Sequence, residues 1–111
     1  MFFFKKKPAH TITVLPHPRA CPQGEIVPAL PGKSLVECLL EADVDISHSC
    51  QMQCSCTTCH VYVMEGAAFV SRMGDEENRV LDQANDRAQW SRLGCQAYFE
   101  GNGNLVIEIR G

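Results

Sequence analysis

Seven cysteines stand in this chain of 111 residues, and four of them fall in a metal-holding spacing: Cys50-x5-Cys56-x2-Cys59, then Cys95 after 35 more residues. A lone C-x2-C suits zinc as well as iron. The full set of four also meets the demand of a 2Fe–2S cluster, which takes two thiolates on each iron. Because sulfides bridge the irons, three ligands can come from one tight loop and the fourth from a distant segment. Such a cluster carries a formal charge of about −2, and about −3 after one electron is added. Removing that anion from water is costly unless backbone N–H dipoles turn toward its sulfurs. Ser49, Gln51, Gln53, Ser55, Thr57 and Thr58, between and beside the cysteines, are small or polar enough to let a loop turn its amides inward. Almost nothing in 49–59 could bury a cysteine as an ordinary apolar residue, so this loop is built around something other than a hydrophobic core.

The other three cysteines read differently. Cys38 sits at helical spacing among apolar residues and suits a core position. Cys21, between prolines, is treated as incidental. Cys54 lies inside the ligand loop, where it is either a bystander or a thiol that handles sulfur. His60 directly follows Cys59. Histidine ligation of the kind found in Rieske centres would want two C-x-H pairs, and none is present; a structural hydrogen bond from the cluster loop to the sheet is expected instead. His48 is assigned to the surroundings of the loop or to the surface.

The elements that must position these groups are short. Residues 11–15 alternate as a strand, and 24–30 form a second, hairpin-like partner. Ser34 and Glu37 make a capping box ahead of a helix over 35–42, whose buried face is Leu35, Cys38, Leu39 and Ala42. Gly32-Lys33-Ser34 superficially resembles a phosphate loop, but position 27 is Val where that motif needs glycine. His60 to Met64 alternates as a strand, 67–74 is ambiguous, and Asp75 to about Asp86 reads as a helix with acidic residues in its first turn. Two further strands, Cys95–Phe99 and 105–109, are expected around the turn Gly101-Asn102-Gly103-Asn104. Trp90 is read as a packing residue near the last helix. Five short strands and two helices make an α+β domain.

Composition narrows the function. From Pro8 onward there are seven Lys/Arg against thirteen Asp/Glu, a net −6, although the whole chain carries −3. Nucleic acid is therefore not an expected partner; a basic protein surface is. An odd number of cysteines and no visible secretory signal argue against a disulfide framework and for a cytoplasmic setting. No stretch approaches a membrane span, so no membrane partner is expected. The segment Met1-Phe2-Phe3-Phe4-Lys5-Lys6-Lys7 is read as part of a flexible tail over 1–10, with one domain over 11–111.

From about Thr11 to Ile109 the sequence resembles the 2Fe–2S ferredoxins of the adrenodoxin type, in particular the bacterial ferredoxins that accompany iron–sulfur cluster assembly. The resemblance rests on His48-Ser49-Cys50, Cys54-Ser55-Cys56-Thr57-Thr58-Cys59-His60, Asp75-Glu76-Glu77-Asn78, Leu81-Asp82 and Ser91-Arg92-Leu93-Gly94-Cys95-Gln96. Plant-type ferredoxins have one residue fewer between the first two ligands. The likeness implies a β-grasp fold with a mixed sheet of about five strands and two main helices. The single cluster would lie near one edge, held by Cys50, Cys56, Cys59 and Cys95, with Cys54 as an accessory thiol. It implies a monomeric one-electron carrier rather than an enzyme, reduced by an NAD(P)H-dependent ferredoxin reductase and supplying cluster-assembly proteins. A haem-thiolate monooxygenase or another oxygenase is the alternative acceptor, and a zinc-binding structural module the alternative of another class. In the family the acidic helix docks on partners, which here points to Asp75, Glu76, Glu77 and Asp82; Arg79 and Arg87 interrupt that pattern. Glu41, Asp43 and Asp45 would extend the acidic field.

Overall fold

The computed structural model describes residues 9–46, 58–84 and 86–110. Cys50, Cys54, Cys56, His48 and the first eight residues lie outside them, and so do the expectations placed there. Five strands form one sheet: β1 (Thr11–Val14), β2 (Glu25–Pro28), β3 (His60–Glu65), β4 (Ser91–Leu93) and β5 (Leu105–Ile109). Their order is β2-β1-β5-β3-β4, with β1 and β5 parallel and every other neighbour antiparallel. The sheet is therefore mixed, as expected.

The alternation read in the sequence sets the inner face. Ile12 pairs with Val27 and Leu105, Val14 with Ile107, and Val61 with Ile109. Paired residues point to the same side, and all of these are buried. Helix α1 (Leu35–Glu41) adds Leu35, Val36, Cys38 and Leu39 to the same core. Its capping box forms as read: the Ser34 hydroxyl accepts from Glu37 N at 3.1 Å, and Ser34 N donates to the Glu37 carboxylate at 2.8 Å. A bulge after Val63 shifts the β3–β5 register. Beyond it Gly66, at φ +92°, passes so close to β5 that a Cβ there would lie 2.5 Å from Leu105 Cδ2. No helix among the described residues is long and apolar enough to cross a membrane.

Three local readings are corrected. Residues 95–99 are not a sheet strand, and β5 has no hairpin partner there. Their carbonyls and that of Gly94 serve α1 instead: Leu35 N donates to Ala97 O (2.9 Å) and Val36 N to Gly94 O (3.1 Å). These are first-turn amides that no helix can satisfy internally. On the opposite side, Ser71 N donates to Tyr98 O and Glu100 N to Phe69 O, each at 2.8 Å. The segment is thus shared between α1 and the chain around the single-turn helix Ala67–Phe69.

Helix α2 covers Asp75–Leu81 rather than running on to 86. The Arg87 guanidinium donates to Asn78 O at 2.9 Å, occupying a carbonyl that another helical turn would have used. Finally, Trp90 is not a buried packing residue. It is 44% exposed and stands edge-on against Tyr62 of β3.

Candidate metal centre

Cys59 immediately precedes β3, and Cys95 follows edge strand β4 by two residues. His60 pairs with Leu93, so the ladder ends by bringing the two cysteine-bearing segments together. Gly94 N donates to Cys59 O at 2.9 Å. Position 94 tolerates little else: a Cβ there would meet Val36 Cγ2 at 3.0 Å and Cys59 O at 3.2 Å. The 35 residues that separate Cys59 and Cys95 in the chain are thus closed by a single strand pairing at one edge of the sheet.

Cys59 and Cys95 are 0% and 1% exposed. The Gln96 amide nitrogen points its donor toward Cys95 Sγ at 3.6 Å. Two buried sulfur donors at one sheet edge, one with an N–H donor at hand, suit thiolate ligation of iron, which favours a site that shields anionic sulfur and hydrogen-bonds to it.

His60 makes a structural hydrogen bond, though between strands β3 and β4 rather than from the cluster loop to the sheet. Buried at the start of β3, its Nε2 lies 2.8 Å from Ser91 Oγ, and that oxygen also accepts from Ala88 N at 2.8 Å. On its other side the ring turns Nδ1 toward Asp86 Oδ1 at 3.4 Å. Burial lowers the histidine pKa, against the pull of Asp86. The ring is a strut between the residue after Cys59 and the start of β4.

The acidic helix divides into two sets. Asp75, Glu76 and Asp82 are exposed. Glu77 is 3% exposed and bound inside. Its carboxylate takes a bidentate pair from Arg92, at 2.7 and 3.0 Å, and a third bond from Leu93 N at 2.9 Å. Arg92 also donates to Ser71 O at 2.6 Å. Glu77 is therefore a tie between α2 and β4, and the expectation that it meets a partner is corrected. Of the exposed acids, Glu76 lies 3.4 Å from Arg79, and Asp82 is bonded by Arg87. Residue types alone did not reveal the Glu77–Arg92 tie. The signal for it was the Ser91-Arg92-Leu93 run, which stood out only as part of a motif.

The two remaining described cysteines are core residues. Cys38 Sγ accepts from Leu30 N at 3.5 Å, and Cys21 belongs to the buried cluster rather than being incidental. Burial raises both thiol pKa values.

Residues 19–100 match the family model described as a 2Fe-2S iron-sulfur cluster binding domain. The chain is 42% identical to the 2Fe-2S ferredoxin of Haemophilus influenzae, over 88% of this chain and 86% of that protein. It superposes on the ISC-like 2Fe-2S ferredoxin of Pseudomonas putida with a TM-score of 0.83 at 34% identity, covering 94% of this chain and 93% of that one. It also superposes on a cysteine-to-serine variant of reduced putidaredoxin from the same organism, with a TM-score of 0.68 at 25% identity over 89% and 94% of the two chains. The fold is the β-grasp of these proteins, and the family is an iron–sulfur rather than a zinc one. A mixed five-stranded sheet, two buried thiols closed across its edge and a family match over most of the chain lead to one assignment: this protein belongs to the adrenodoxin-type 2Fe–2S ferredoxins, one-electron carriers with a single cluster.

Proposed function

We propose that Cys50, Cys56, Cys59 and Cys95 hold the cluster, and that the protein carries electrons from an NAD(P)H-dependent ferredoxin reductase to iron–sulfur cluster assembly in a reducing cytoplasm. The observation that carries the ligand assignment is the pairing of Cys59 with the Gly94–Cys95 segment, which leaves both thiols buried at one edge. Likeness to the ISC-like ferredoxin over nearly the whole chain supports the assembly role.

When bound, the cluster supplies storage for one electron at a time. The chain's own residues do the rest. The thiols give up their protons on ligation. Gln96 offers an N–H toward Cys95 sulfur. The Ser91–His60 bond joins the two cysteine-bearing segments, and the Glu77–Arg92 tie fixes β4 to α2 behind them. A frame that barely moves when charge arrives needs little reorganisation, the condition for fast outer-sphere transfer. Asp75, Glu76 and Asp82 provide the acidic contact for a basic reductase surface.

The test is an anaerobic assembly reaction with a scaffold protein, a cysteine desulfurase, the reductase and NADPH. The holoprotein should accelerate cluster formation on the scaffold, and the apoprotein should not. Efficient reduction of an oxygenase with no effect on assembly would select the other acceptor.

A further inference from the structure

Trp90 is the sole tryptophan of the chain and stands 44% exposed. Its main chain is fixed, since Val63 N donates to Trp90 O at 2.9 Å. Its ring is edge-on to Tyr62, with centroids 6.1 Å apart. Tyr62 is in turn held from three other sides. The Arg110 guanidinium covers its ring at 4.7 Å, its hydroxyl donates to Asp86 O, and the His60 ring stands edge-on at 5.5 Å. Arg110 is anchored by Asp86 at 2.7 Å and Glu108 at 2.7 Å. Two residues past Tyr62 on the same strand, Met64 is also exposed.

Trp, Tyr and Arg are the residue types that dominate binding hot spots, and Met is enriched at interfaces. Here the Trp, Tyr and Arg are held in place by one another before any partner arrives. Docking against them therefore costs little side-chain entropy.

Charge and position select the partner. Beside the aromatic pair lie the carboxylates of Asp86 and Glu108, both on the Arg110 guanidinium, and the body of the chain from Pro8 onward carries a net −6. Tyr62 lies three residues beyond Cys59 along β3, so a protein seated on the patch is brought toward the metal centre. Asp82, at the end of α2, is bonded by Arg87, which stands three residues before Trp90 in the chain.

We propose that Trp90, backed by Tyr62 and Arg110, is the apolar anchor of the reductase-docking surface. The reductase would present an apolar pocket for the indole, rimmed by Lys or Arg and continuous with the basic patch that meets α2. The acids of α2 steer encounter, and the indole slows dissociation. This inference rests on the electron-carrier reading.

Titration of holoprotein with the reductase, at several salt concentrations, tests it. Trp90→Ala should weaken binding roughly tenfold or more while leaving the salt slope and the visible cluster spectrum unchanged. Trp90→Phe should recover most of the loss. Fluorotryptophan-labelled wild-type holoprotein provides a readout without any substitution: its single fluorine resonance should shift on adding reductase. Wild-type affinity in Trp90→Ala, or an unshifted resonance at saturating reductase, would overturn the proposal. So would a resonance that moves with the protein's own concentration, which would assign the patch to a second copy of this chain. Failure of any reductase to reduce the wild type would instead defeat the underlying electron-carrier reading.

Discussion

At the scale of single residues, the cysteines differ in what surrounds them more than in what they are. Cys59 and Cys95 are buried where two segments meet through Gly94. Cys38 is buried against Leu30 among aliphatic side chains. Cys54 stands in the sequence among three proposed ligands, Cys50, Cys56 and Cys59, but falls outside the 5–2–35 spacing. Cys50→Ser should abolish or cripple the visible cluster absorption, whereas Cys54→Ser should retain it. Loss of colour in the Cys54 variant would show the ligand set to be wrong. Cys38 carries a prediction of its own. Burial raises its pKa above the ordinary 9.0, so above about pH 9 the unfolded chain gives up this proton while the folded one keeps it. Stability present at neutral pH should therefore fall as pH rises beyond that point. Thermal unfolding followed from about pH 8 to 10 should show a shallower alkaline decline in Cys38→Ala than in the wild type. Identical slopes would contradict the assignment.

Among the elements, α2 shows how one acidic run can hold two unlike roles. Its exposed carboxylates face solvent, while Glu77 is enclosed by Arg92 and Leu93 N. Breaking one side of a buried ion pair strands the other charge, at a cost of about 3–5 kcal/mol. Glu77→Ala should lose stability on that order in denaturant unfolding, and a loss below about 1 kcal/mol, the range of a surface pair, would place Glu77 at the surface after all. This difference also shows where sequence reading reached its limit. An acid in the first turn of a helix is explained by the dipole alone, and the partner that buries Glu77 lies fifteen residues away. The stretch Cys95–Phe99 failed for a related reason. Ala97 and Phe99 alternate with exposed Tyr98 as in a strand, yet the segment is engaged by α1 on one side and by Ser71 and Phe69 on the other. Helix 75–81 ended early because Arg87 reached back to Asn78. By contrast, Ser34–Glu37, β1, β2, β3 and β5 were legible within one or two residues. Their signals are local: a capping pair, or a period of two.

On the scale of the whole molecule, charge and scaffold act together. The body from Pro8 onward carries a net −6, so its field favours a basic partner before any contact forms. Arg79 and Arg87 each hold an exposed carboxylate of α2, which tempers that field locally. Association with the reductase should weaken as salt is raised past the concentration where the screening length is about 8 Å, and a rate indifferent to salt would remove electrostatic docking from the account. Double replacement of Glu76 and Asp82 by their amides should flatten the same salt dependence. The sheet gives this surface its firm base: β3 runs from the residue after Cys59 past Tyr62, and β4 closes the edge beside it. All of this presumes a cluster assembled on the chain. The most direct check is iron and acid-labile sulfide analysis of protein isolated without oxygen: the account predicts about two of each per chain, and zinc in place of iron, with no sulfide, would contradict it.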